Sequence, residues 1–168
     1  ENYRIPEAAK YLDNFVDEMS NWYVRRGRER YWAGDMTKDK VDAFMTLYTV
    51  LEQFSRLCAP FIPFVTESIY QNIVKSVDAN APESIHLCDY PVADETLIDS
   101  ELEKEMDLVQ KIVELGRAAR NASNMKNRQP LSDIFVVADT KLDEEYQSIV
   151  LEELNIRKIS LLEDASSL

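Results

Sequence analysis

Apolar side chains recur at steps of three and four along most of this chain, the spacing that gathers them on one face of an α-helix. Ile5, Ala8, Ala9, Leu12, Phe15, Val16, Met19, Trp22 and Tyr23 form the clearest series and predict one helix from about Ile5 to Trp32. Pro6 falls in its first turn, where a missing N–H costs nothing, and Ala33-Gly34-Asp35 ends it. A second helix is expected from about Lys38 to Ala59, with Thr37 as N-cap and Val41, Phe44, Leu47, Tyr48 and Leu51 on one face. Pro60 and Pro63 force a break before a third helix, about Phe64 to Ser76. Residues 77–98 have few periodic apolar positions and read as a surface excursion. A fourth helix, about Asp99 to Asn124, carries Leu102, Met106, Val109, Ile112, Val113 and Gly116 on its inner face. Successive amphipathic helices of this kind predict a mainly α fold, an antiparallel helical bundle.

The period changes near Pro130. Ile134-Phe135-Val136-Val137-Ala138 is a β-branched run, residues 156–162 alternate in part between apolar and polar side chains, and Asp143 to Leu154 reads as a helix between them. The expected organisation is a bundle over residues 1–130 followed by a small β-α-β appendage over 131–168.

Scarce residues exclude much chemistry. His86 is the single histidine, so neither a two-histidine zinc site nor a histidine dyad fits in this chain. Gly27, Gly34 and Gly116 are the three glycines, too far apart for a phosphate-cradling loop. Cys58 and Cys88 match no metal spacing and read as reduced, buried thiols of a cytosolic protein. His86-Leu87-Cys88 lacks further soft ligands nearby and reads as a structural loop, and the acids from Asp99 to Asp107 as the dipole-favoured start of a helix. Catalytic residues and metal ligands are therefore assigned to none of these positions. Apolar runs are too short to span a bilayer. The chain opens at Glu1-Asn2-Tyr3 without methionine or signal peptide and is expected to be a segment of a longer polypeptide.

The net charge of −12 conceals a sharp segregation. Residues 24–30 and 117–128 hold Arg25, Arg26, Arg28, Arg30, Arg117, Arg120, Lys126 and Arg128 against the one acid Glu29, giving +7 there and −19 elsewhere. Basic surface on an acidic body attracts a polyanion at chosen faces and repels it from others. Phosphate is the obvious ligand, because charge neutralisation dominates nucleic-acid affinity. At about 100° per residue, Arg26 and Arg30 continue the apolar stripe of the first helix, Arg120 continues that of the fourth, and Arg25 and Arg28 point away. An arginine on an inner face must pair with a buried acid or line a groove that an anion enters. Trp22, Tyr23, Tyr31 and Trp32 interleave with these bases; Trp22 lies on the apolar stripe, which leaves Trp32 as the candidate for stacking an unpaired base.

These residues carry a resemblance. Asn2-Tyr3-Arg4-Ile5-Pro6-Glu7-Ala8-Ala9 and Asn21-Trp22-Tyr23-Val24-Arg25-Arg26-Gly27-Arg28-Glu29-Arg30-Tyr31-Trp32 are similar to the anticodon-binding helical domain of isoleucine–tRNA synthetases. Pro60-Phe61-Ile62-Pro63-Phe64, Glu83-Ser84-Ile85-His86-Leu87-Cys88-Asp89-Tyr90-Pro91, Gly116-Arg117-Ala118-Ala119-Arg120-Asn121 and Lys126-Asn127-Arg128-Gln129-Pro130-Leu131 extend the likeness in family order. The last block favours the isoleucine enzyme over its valine and leucine relatives. Gly27 stands where the relatives are expected to carry serine or another small residue.

The resemblance implies a class I ligase in which ATP activates isoleucine and the aminoacyl group passes to tRNA. The ATP-site signatures are absent from this segment, so ATP, with zinc as a second candidate, is expected as a cofactor of the parent alone. The implied partners are the isoleucine tRNA and the remaining domains of the same chain, in a monomeric cytoplasmic protein with no membrane contact. The resemblance implies a helix before Asn2 that this segment is expected to lack, which would leave an apolar groove open. Arg25, Arg28, Arg117 and Lys126 are expected to hold anticodon-stem phosphates. Arg26, Arg30, Arg120, Asn121 and Arg128 are expected to line a cleft for loop nucleotides, with Trp32 available for stacking. The competing readings are a helical module docking an acidic protein surface, or the equivalent domain of a valine or leucine ligase.

Overall fold

A computed structural model describes residues 3–138 and 142–162. By compactness the chain divides into two units, Glu1–Ala93 and Asp94–Leu168. Pro130, where the composition changes, lies inside the second unit, immediately before its first strand.

The first unit is helical. α1 spans Ile5–Glu18, with proline in its first turn. The same rod continues as a π-helical segment over Met19–Val24, turns at Gly27 (φ −73°, ψ 1°) and resumes as α2 over Arg28–Trp32. The single helix expected over this stretch is thus broken by one widened turn and one glycine. A β-carbon at Gly27 would stand 3.0 Å from Cε2 of Tyr31 and 3.2 Å from the Tyr23 carbonyl oxygen. Glycine therefore lets the Tyr31 ring lie against the backbone and reach Phe44 edge-on at 5.2 Å. α3 covers Lys38–Cys58, and the Thr37 side chain accepts the Lys40 N–H as the expected N-cap. Phe15 stacks on Phe54 at 4.8 Å, Tyr31 meets Phe44, and Arg30 meets Asp39, so the two rods touch at several points. A groove of about 490 Å³ beside this contact is lined largely by Tyr11, Leu12, Phe15, Val50, Phe54 and Leu57.

α4 occupies Pro63–Tyr70 and passes into a second π-helical segment, Gln71–Lys75. The excursion that follows is tied back rather than loose. Glu67 accepts from Ser84 Oγ at 2.8 Å and from the Ile85 N–H at 3.0 Å, and the Lys75 ammonium donates to the carbonyls of Ala79 and Ala81. These bonds seat Ile85 beside Tyr70 and Ala59 in a small core flanked by Val74, Ala81 and Cys88. The Tyr70 hydroxyl donates to the Pro82 carbonyl at 2.8 Å, which satisfies the one polar atom on a buried ring.

The second unit contains the β-α-β element. α5 runs from Ser100 to Ala122, its N-terminus capped by Asp99, whose Oδ1 accepts the N–H groups of Glu101 and Leu102 at 3.1 Å each. Strand β1, Leu131–Val137, pairs in parallel with β2, Ile156–Leu162, with Leu131 opposite Ile156. The connecting helix α6, Glu144–Leu154, ends at Asn155 in the left-handed region (φ 50°), which turns the chain straight into β2. The core of this unit is Val109, Ile112 and Val113 of α5 with Val150 and Leu154 of α6. Full burial of each side chain contributes roughly 1.5–3 kcal/mol. Gly116 lies directly against Leu154 of α6: a β-carbon there would lie 2.4 Å from its Cδ1. Among the described residues no helix is long and apolar enough to cross a membrane.

Candidate nucleic-acid interface

Arg25 and Arg26 directly follow the π-helical segment, and Arg28 and Arg30 lie in α2, beyond the change of helical pitch. A π turn inserts an extra residue per turn, so positions beyond Met19 no longer follow the phase set by α1. Arg30, expected to continue the inner stripe, instead emerges on an exposed face. Its Nε donates to Asp39 Oδ2 at 2.9 Å and its Nη2 to Oδ1 at 2.7 Å, a bidentate fork. That hydrogen bond raises the Arg30 pKa and lowers the Asp39 carboxyl below its usual range. Asp39 is the partner that the sequence pattern missed: it lies nine residues away, across the Ala33-Gly34-Asp35 turn.

Arg26 remains half-buried, with its guanidinium carbon 5.3 Å from the centroid of the Trp22 ring. Arg25 is exposed, and its Nε donates to the Asn21 carbonyl at 2.8 Å. Arg28 lies 4.0 Å over the ring of Trp32, and Trp32 is 72% exposed. An aromatic face that open, with a guanidinium already on it, offers both a stacking platform and a positive charge to an incoming base.

In the second unit the predicted residues divide sharply. Arg117, on α5, forms an ion pair with Glu153 of α6, whose side chain is nearly buried. Asn121, Lys126 and Arg128 are exposed. Arg120 is not: it retains only 3% of its surface. Its Nη1 donates to the carbonyls of Lys126 and Gln129 at 3.0 Å each, and its Nη2 to those of Leu154 at 2.6 Å and Asn155 at 3.4 Å. The expectation that Arg120 lines an open cleft is therefore corrected. The alternatives for an inner-face arginine were an acidic partner or a groove; the backbone itself provides the partner, through carbonyls of the turn that follows α5 and of the end of α6.

His86 sits in a short 3-10 turn, Ile85–Leu87, capped by Ser84. Among the described residues no group of three or more His, Cys, Asp or Glu side chains is placed to hold a metal ion.

Two exposed basic patches, one with an open tryptophan, define a helical protein equipped to meet an anionic ligand. Residues 1–136 match the family described as the anticodon-binding domain of tRNA ligase, and the chain belongs to that family. The chain is 54% identical over 167 residues to the isoleucine–tRNA ligase of Clostridium tetani and 52% identical over 166 residues to that of Clostridium novyi, each across 99% of this chain. It is 44% identical over 171 residues to the isoleucine–tRNA ligase of Dehalococcoides mccartyi, across 97% of this chain. In all three comparisons it spans 16% of the relative's length.

Proposed function

We propose that this chain is the anticodon-recognition segment of an isoleucine–tRNA ligase. The observation that carries the reading is 54% identity, over 99% of the chain, to an enzyme of that name. In this reading the parent is a monomeric cytoplasmic enzyme that activates isoleucine with ATP and transfers it to tRNA; zinc would likewise belong to the parent. This segment contributes tRNA binding and is inactive alone. Residues 1–130 form the anticodon-binding part, with the helical rods of the first unit packed antiparallel, and 131–168 begin a C-terminal junction domain.

The exposed bases supply phosphate contacts, which set position, while contacts to base edges set identity. Arg25, Arg28 and Lys126 hold anticodon-stem phosphates, and Arg117 joins them by exchanging Glu153 for phosphate. Arg26, Arg30, Asn121 and Arg128 meet loop nucleotides, with Arg30 exchanging Asp39 for RNA. Trp32 stacks an unpaired base once Arg28 swings from its face to the backbone. Support for these roles comes from the exposure of Trp32, Lys126 and Arg128 and from the segregation of +7 into two short segments of a −12 chain.

The test is titration of the chain, at two salt concentrations, with an isoleucine-tRNA anticodon stem-loop and a loop-scrambled control. Salt-sensitive binding that prefers the true loop, and that loses roughly 1–3 kcal/mol on Trp32→Ala, is the expected result. Binding without loop preference would reduce the segment to a phosphate-positioning platform. Failure of both the chain and the full-length ligase to bind through these residues would refute the assignment.

A further inference from the structure

The exposed stretch between α5 and β1 carries Lys126 and Arg128, yet its backbone is held from below by a dense set of bonds. Arg120 donates to the carbonyls of Lys126 and Gln129. Asn155 Nδ2 donates to the carbonyl of Arg128 at 3.0 Å. The Met125 N–H returns to the Arg120 carbonyl at 2.8 Å, and Asn124 takes the left-handed conformation (φ 53°) that starts the turn. Three of the four carbonyls from Lys126 to Gln129 thus face the protein, while the side chains of Lys126 and Arg128 remain exposed. The other half of the Arg120 guanidinium reaches Leu154 and Asn155, the end of α6. Asn155 in turn fixes β1 through its own carbonyl, which accepts the Leu131 N–H at 3.1 Å.

We infer that Arg120 is a positioning residue for RNA binding: with Asn155 it clamps the 124–130 turn onto α6 so that Lys126 and Arg128 are presented in a fixed geometry. This rests on the reading of Lys126 and Arg128 as RNA contacts. The physical logic is preorganisation. A loop ordered before binding loses less conformational freedom when it binds. A guanidinium suits the task because its planar fork reaches several acceptors at once, which an ammonium on a flexible stem does not. Both terminal nitrogens of Arg120 are taken by carbonyls and its Nε is buried without a partner, so burial separates its role from that of its exposed neighbours.

A double-mutant cycle in the full-length ligase distinguishes positioning from direct contact and from simple stability. Arg120→Lys keeps the charge and removes the fork. Asn155→Gly tolerates the left-handed backbone and cuts only the bond to the Arg128 carbonyl, so it serves if Arg120 variants fold poorly. Affinity for isoleucine tRNA is measured for each, alone and in a Lys126→Ala/Arg128→Ala background, alongside thermal midpoints and salt slopes. The double alanine change should weaken binding about tenfold or more and lower the salt slope by roughly two. Arg120→Lys and Asn155→Gly should each weaken binding about three- to tenfold in the normal background, as expected for a few ordered side chains, and by less than about twofold in the alanine background. Their thermal midpoints should fall equally in both backgrounds. An affinity loss that persists undiminished in the alanine background, or midpoints that fall with no loss of affinity, would overturn the positioning role. If the double alanine change leaves both affinity and salt slope unaltered, the turn is not an RNA contact and both readings fall together.

Discussion

Gly116→Ala sets helix propensity against packing, and the geometry decides which wins. In a helix interior alanine is better than glycine by about 1 kcal/mol, so sequence reasoning alone predicts a gain. The new methyl would stand 2.4 Å from Cδ1, 3.0 Å from Cδ2 and 3.3 Å from Cγ of Leu154. Carbon atoms in contact prefer about 3.5–4 Å, so an offset of about 1 Å must be absorbed. Leu154 is only 1% exposed and is packed at the end of α6, which leaves its side chain little room to turn away. Overpacking of this kind costs typically about 1–3 kcal/mol. Set against the propensity gain, the expected net loss is about 1 kcal/mol, and the shift of α6 would also pull the Leu154 carbonyl from Arg120. Urea unfolding followed by circular dichroism measures it. Leu154→Ala alone should cost about 2–5 kcal/mol, and the double variant should cost less than the sum by about 1 kcal/mol. A Gly116→Ala protein more stable than the parent, or costs that simply add, would refute the claim that this glycine sets the spacing of α5 and α6.

Two further outcomes follow from the first unit. Burial pushes the Tyr70 hydroxyl up to about 12, so the folded state holds its proton more tightly than the unfolded chain; its contribution is complete below about pH 10 and is lost as pH rises toward 12. Thermal midpoints of the parent should therefore fall more steeply between pH 9.5 and 11.5 than those of Tyr70→Phe, and parallel curves would sink the argument. Asp39→Asn should barely change stability, because the Arg30 pair is exposed, yet should raise affinity for the anticodon stem-loop about two- to fivefold at low salt by freeing the guanidinium; unchanged or weaker binding would exclude Arg30 from the RNA contacts.

Sequence periodicity located α3, α5, α6 and both strands to within a few residues, because each combines a uniform apolar period with a local start or stop signal. Thr37 and Asp99 cap as their side chains dictate, and Pro63 opens α4 as its ring requires. The first helix was misread as continuous, since a π turn leaves no mark in the spacing that a 3.6-residue period detects. That widening, with the break at Gly27, leaves Arg30 off the inner stripe, where it pairs with Asp39.

The chemistry followed the same division. Segregation of the bases, scarcity of histidine and glycine, and the order of the motif blocks are properties of the linear chain, and they sufficed to point to an RNA-binding segment of a tRNA ligase family. Which arginine faces outward is not a linear property. Arg120 and Arg128 look equivalent in a helical and basic sequence, but one is consumed by four carbonyls while the other is exposed. Only the tertiary fold decides this, because it alone brings the turn after α5 and the end of α6 around one guanidinium and makes their carbonyls the nearest partners for a buried positive charge.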